Sequence, residues 1–190
     1  MFSYPDWFDT HPLKDTLIKR YKRKATFIIG KDDPLVQPLF QMIDAMDKPH
    51  AMKMGLILVQ STIDDVFIHT PYLEPIQFGL TMGQKWLTHD ITMTIMRPII
   101  LHIHGLTKQC ADPFLNRHIH AVGQALSTLH CQDHLKGWYL YSFAAWFYHD
   151  PFHFHPLKWI EQHMDQIKAN QATIQTTSVK TIDQTKRIDL

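Results

Sequence analysis

Cysteine is nearly missing from this chain: Cys110 and Cys131 are the only two in 190 residues. That excludes a disulfide framework, and free thiols fit a cytoplasmic protein. An excess of charge is also lacking, since nineteen Lys and Arg face eighteen Asp and Glu for a net charge of +1. A near-neutral chain gives no electrostatic reason to expect nucleic acid or an anionic membrane as partner. Long apolar runs are absent too. The longest uncharged one, Gly137 to Tyr148, is too short to span a bilayer and reads as a buried core helix. The opening MFSYPDWFDTHPLKD has no basic leader before an apolar run, which argues against a signal peptide. There is no G-x-S-x-G, no P-loop, no dinucleotide fingerprint, no His-Glu-x-x-His and no repeat of solenoid length.

What is present is a helical pattern. Hydrophobic residues make up 45% and charged residues 19%, the balance of a globular chain long enough for a sizeable core. The most strongly patterned stretch is Pro113 to Gly137. Leu115, Ile119, Val122, Leu126 and Leu129 recur at alternating steps of four and three, the period of one helix face. Arg117 is the only charge between Pro113 and Gln132, so this helix is expected to be surrounded by others. Ala121, Gly123 and Ala125 thin its middle, and Gly123 predicts close approach of a neighbouring helix backbone.

The same spacing predicts helices along the rest of the chain. Asp33-Pro34 reads as a cap with proline at the first helical position, followed by the stripe Val36, Leu39, Phe40, Ile43 and Met46. Met52, Leu56, Val59, Ile63 and Val66 predict a helix from about Ala51 to Ile68, with a buried strand at Gly55 to Gln60 as the competing reading. Stripes from Leu73 to Leu87 and from Met96 to Cys110 follow, the second with Pro98 as a kink or a helix start. Asp112-Pro113 opens the central helix, and Asp133 is expected to cap an all-round apolar helix from Leu135 to Tyr148. The result is an all-α fold, a single compact bundle of six or seven helices over residues 33–170. Before it comes an irregular arm, 1–32, docked through Tyr4, Trp7 and Phe8. After it comes a polar tail, 171–190. The basic run Lys19, Arg20, Lys22, Arg23 and Lys24 reads as a solvated face, with a phosphate-binding patch as the second reading.

Fourteen histidines call for separate treatment. His102/His104 and His118/His120 lie two apart on predicted helices, pointing about 200° around the axis from each other, so neither pair shares an ion. His130/His134 has the separation of four that a helical chelate needs, although a helix start at Asp133 would divide it. Asn116, His120, Ser127 and His130 line one polar stripe of the central helix, either a pocket wall or the hydrogen-bonded side of a packed helix. If His130 and His134 held a divalent metal, the third ligand would come from a distant element, His50 being the best placed by pattern.

From Gly79 to Tyr148 the order is Gln84-Lys85-Trp86-Leu87, an Ile/His helix from Arg97 to Lys108, and Asp112-Pro113. Ala121-Val122-Gly123-Gln124-Ala125, Thr128-Leu129-His130, His134, Gly137 and Tyr141 then follow. This order resembles the helical putative immunity proteins of bacterial polymorphic-toxin systems, the Imm-five-like family. The resemblance implies a non-catalytic cytoplasmic binder, without cofactor, whose partner is a cognate toxin protein; nucleic acid and membrane are not expected partners. The alternative reading is a DinB-like helical bundle, a metal-dependent hydrolase or thiol transferase with one divalent ion on His50, His130 and His134. A homodimeric structural protein is a third.

Overall fold

The computed structural model describes residues 3–185, and the described residues are helical with no strand. They form two compact units that divide after Phe154. The first holds seven α-helices: α1 (Lys14–Lys22), α2 (Gln37–Asp44), α3 (Lys48–Thr62), α4 (Leu73–Leu87), α5 (Met93–Leu106), α6 (Pro113–Ser127) and α7 (His134–His149). The second holds α8 (Pro156–Thr185), where the Trp159 and His163 rings meet tilted at 3.9 Å, one turn apart. The all-α class holds, with eight helices among the described residues against six or seven expected. The helix α8 runs through residue 171, where the polar tail was expected to begin, and residues 186–190 of that tail lie outside the described residues.

Aspartate caps set several of the boundaries. Asp112 accepts hydrogen bonds from Phe114 N at 2.8 Å and Leu115 N at 2.9 Å, with Pro113 in the first turn. Asp47 does the same for α3 through His50 N at 2.8 Å, ahead of Pro49. Each cap satisfies donors that have no partner inside the helix. Two expected caps are not made. Asp33 is buried before a turn, where it accepts from Leu35 N and pairs with His11 at 2.9 Å, and α2 begins only at Gln37. Asp133 has helical dihedrals and pairs with Lys136 at 3.2 Å, so it does not cap α7. Pro98 sits inside α5, and Gly55 to Gln60 lie within α3, not in a strand. The helix α3 ends in a π-helical turn, Ile63–Phe67.

The helix α6 is the axle of the first unit. Ile119, Val122, Ala125 and Leu126 are completely buried on it. Its neighbours come close through their glycines. A Cβ on Gly55 of α3 would lie 2.3 Å from Thr128 Oγ1 and 2.6 Å from the Ala125 carbonyl oxygen. On α4, Cβ atoms at Gly79 and Gly83 would meet Ile103, Leu126 and Leu56 at 2.4–3.1 Å. On α7, one at Gly137 would meet Gln124 at 2.5 Å. The expected backbone contact at Gly123 is not found: its near neighbour is the His104 imidazole, and the glycine that receives a backbone is Gly55.

The segment before α2 is not irregular throughout, because a 3₁₀ turn at Asp6–Phe8 and α1 lie within it. Phe8 is fully buried and stacks on Phe147 of α7 at 5.9 Å, with Trp7 and Tyr21 edge-on to the same ring. At the α6–α7 corner Gln132 donates to the Ile43 and Met46 carbonyls, closing the open end of α2. Trp138 donates to Thr62 Oγ1, linking α7 to α3.

Two glycine substitutions separate close approach from helix propensity. Gly55→Ala should lower stability by about 1–3 kcal/mol, because a backbone oxygen cannot move aside for the new methyl. Gly105→Ala meets nothing within 4 Å and should stabilise by about 0.5–1 kcal/mol. Urea midpoints of both variants check the pair; equal shifts would contradict the assignment.

Candidate functional site

The polar stripe of α6 is divided in its middle. At one end Asn116 and His120 line a cavity of about 350 Å³. At the other, Ser127 and His130 line a second of about 260 Å³, together with His134, Arg97 and Leu101. Between them His104 reaches across from α5 and lies over Gly123, where a Cβ would be 2.4 Å from its Cε1. The glycine therefore makes room for an imidazole.

This arrangement assembles a histidine cluster from three helices. The rings of His104 and His120 are 6.4 Å apart. His120 stacks on Tyr141 of α7 at 4.8 Å with planes 13° apart, and Tyr141 in turn meets Phe27 edge-on. His134 Nδ1 donates to Gln124 Oε1 at 2.8 Å, and the Gln124 side chain occupies the space that Gly137 leaves. Desolvation lowers the pKa of His104, and the nearby His120 and His134 lower it further. Desolvation also lowers that of His120. Both rings are thus neutral at pH 7, each able to donate one N–H and accept at the other nitrogen.

The members of the stripe differ in how committed they are. Asn116 Nδ2 donates to the carbonyls of Thr107 at 2.7 Å and Cys110 at 3.1 Å, tying the α5–α6 turn to α6. Ser127 Oγ donates back to the Gly123 carbonyl at 2.7 Å, which leaves it buried and bonded within its own helix. His130 is exposed just past the end of α6. The three-ligand set is not gathered. His50 pairs through Nδ1 with Asp47 at the start of α3, and His134 is bonded to Gln124. Among the described residues no three His, Cys, Asp or Glu side chains come together to hold a metal ion.

Sequence spacing missed His104, Gln124 and Tyr141 as partners of the stripe. Considering the two His-x-His pairs one helix at a time concealed that His104 of one meets His120 of the other across the α5–α6 interface. The signal was Gly123, a gap beside a helix carrying histidines.

The buried histidine of α6 gives the site region a pH dependence. His118 is 1% exposed between Phe114 and Trp146; its Nδ1 donates to the Phe114 carbonyl, and its buried Nε2 has no partner among the described residues. Burial pushes its pKa down from 6.5 to about 4. Above the unfolded value both states are neutral and nothing changes. Below it the unfolded chain takes a proton that the native state refuses. Stability should therefore fall from about pH 6.5 to about pH 4, by roughly 3 kcal/mol from this group alone. His104 and His120 act in the same direction. Urea melts across that window check the sign, and His118→Leu should make the decline shallower.

No curated protein and no solved structure gave a match to this chain. The family model described as Imm-5 like putative immunity protein matches residues 43–173, from the end of α2 into α8. That span takes in the α6 axle, the histidine cluster and both cavities except the 24–26 wall of the larger one. With well over half of its length matched, the chain belongs to the Imm-5 like family of putative immunity proteins.

Proposed function

We propose that this protein is a non-catalytic binder that neutralises a cognate toxin by occluding it in the cytoplasm. The observation that carries the reading is membership of the immunity family over residues 43–173. Its surface adds support. On α5, Leu101 is 61% exposed and Ile95 is 48% exposed. Leu101 stands at the mouth of the 260 Å³ cavity, beside Arg97 and His130. An exposed apolar anchor with a polar rim and an adjoining recess is the usual anatomy of a protein-docking centre. The histidines fit this reading as packing and hydrogen-bonding groups: His104 fills the gap at Gly123 and His134 positions Gln124.

Co-expression with a toxin domain, where one is encoded beside this chain's gene, is the test. Rescue should require stoichiometric immunity protein and should coincide with a complex in gel filtration. Rescue by trace amounts would instead indicate turnover and sink the binder reading. Within a confirmed complex, Leu101→Asp should weaken affinity by about 2 kcal/mol or more if α5 carries the contact. An unchanged affinity would move the docking face elsewhere.

A further inference from the structure

The basic run at the end of α1 and the one charge of α6 meet in this fold. Arg117 packs its guanidinium over the Tyr148 ring at 4.6 Å, and the Tyr148 hydroxyl donates to the Arg20 carbonyl at 3.4 Å. Lys24 and Arg117 both line the 350 Å³ cavity, along with Thr26, Asn116, His120 and Tyr141, and no carboxylate of the described residues lines it. We propose that this cavity binds a small organic oxyanion, a phosphate or a carboxylate, with Arg117 and Lys24 as its counter-charges.

Arg117 carries the argument. It is half-buried; among the described residues its buried Nε has no hydrogen-bond partner and its Nη1 donates only to the Pro113 carbonyl. Among the described residues no carboxylate pairs with it or with Lys24. A guanidinium taken partly out of water without a counter-ion is costly, and an incoming oxyanion offsets that cost with charge-assisted hydrogen bonds. Asp112 borders the adjoining cavity with Arg117, but its Oδ1 is engaged by Phe114 N and Leu115 N. The same cap satisfies the first-turn donors of α6, so the positive charge facing the cavity comes from side chains and not from a bare helix start. Thr26, His120 and Tyr141 add neutral polar groups around the two cations. The volume is at the small end of the range for small-ligand sites, about 300–1,000 Å³. This inference does not rest on toxin binding, because the cavity lies at the other end of the α6 stripe from Leu101.

The test is calorimetric titration of the full chain with sodium phosphate and, separately, sodium acetate, at ionic strength held constant with chloride. Saturable binding of one or both is expected, and which anion binds assigns phosphate or carboxylate. Lys24→Gln and Arg117→Gln should each weaken it roughly tenfold or more, whereas Lys53→Gln, outside the cavity lining, should leave it unchanged. Arg117→Gln also loses packing on Tyr148. Lys24 is an exposed side chain, so Lys24→Gln decides the matter if the arginine variant fails to fold. Absence of saturable binding by either anion, or unaltered affinity in Lys24→Gln, would overturn the proposal.

Discussion

The contact on which the rest of the first unit depends is the seating of α3 against the end of α6. Gly55 lies directly over the Ala125 carbonyl and the Thr128 hydroxyl, which are themselves bonded at 2.6 Å. A hydroxyl that turns inward to its own helix presents a compact surface, and only a residue without a side chain can rest on it. Gly79 and Gly137 repeat the device on α4 and α7, against Leu126 and Gln124. Small residues on the surrounding helices thus set the distance to the axle, and close-packed aliphatic side chains fill what remains.

Close approach on those sides leaves α6 one polar side, and α5 decides what becomes of it. Because Gly123 has no Cβ, His104 can lie across the helix and separate the stripe into two recesses. One recess is bounded by cations that pair with no carboxylate among the described residues, the other by Met93, Ile100 and the exposed Leu101 of α5. The division is a packing consequence with chemical results, since the same imidazole that plugs the gap is kept neutral by burial and by its histidine neighbours.

Much of this was legible in the sequence, for identifiable reasons. The alternating four and three spacing placed α3, α4 and α6 closely, because helix faces buried in a core must be apolar at that period, and the all-round apolar run placed α7. Asp112-Pro113 gave the start of α6, since its cap needs only local geometry. Asp33-Pro34 has the same signature and was misread: a buried partner, His11, claims its carboxylate, and a distant residue leaves no local mark. Gly123 announced a close neighbour but could not say whether backbone or ring would fill the space. In the sequence Arg117 is only the lone charge of its helix; its place over Tyr148 depends on a contact between helices. Periodicity reports which face is buried; it does not report what that face meets.

As the axle, α6 should be the last element of the first unit to open. Native-state hydrogen exchange tests it most directly. Amides of Ile119 to Leu126 should exchange only through global unfolding, with protection equal to the full unfolding free energy and a matching denaturant dependence. Exchange of these amides through a smaller opening, while those of α3 or α7 stay protected, would contradict the account.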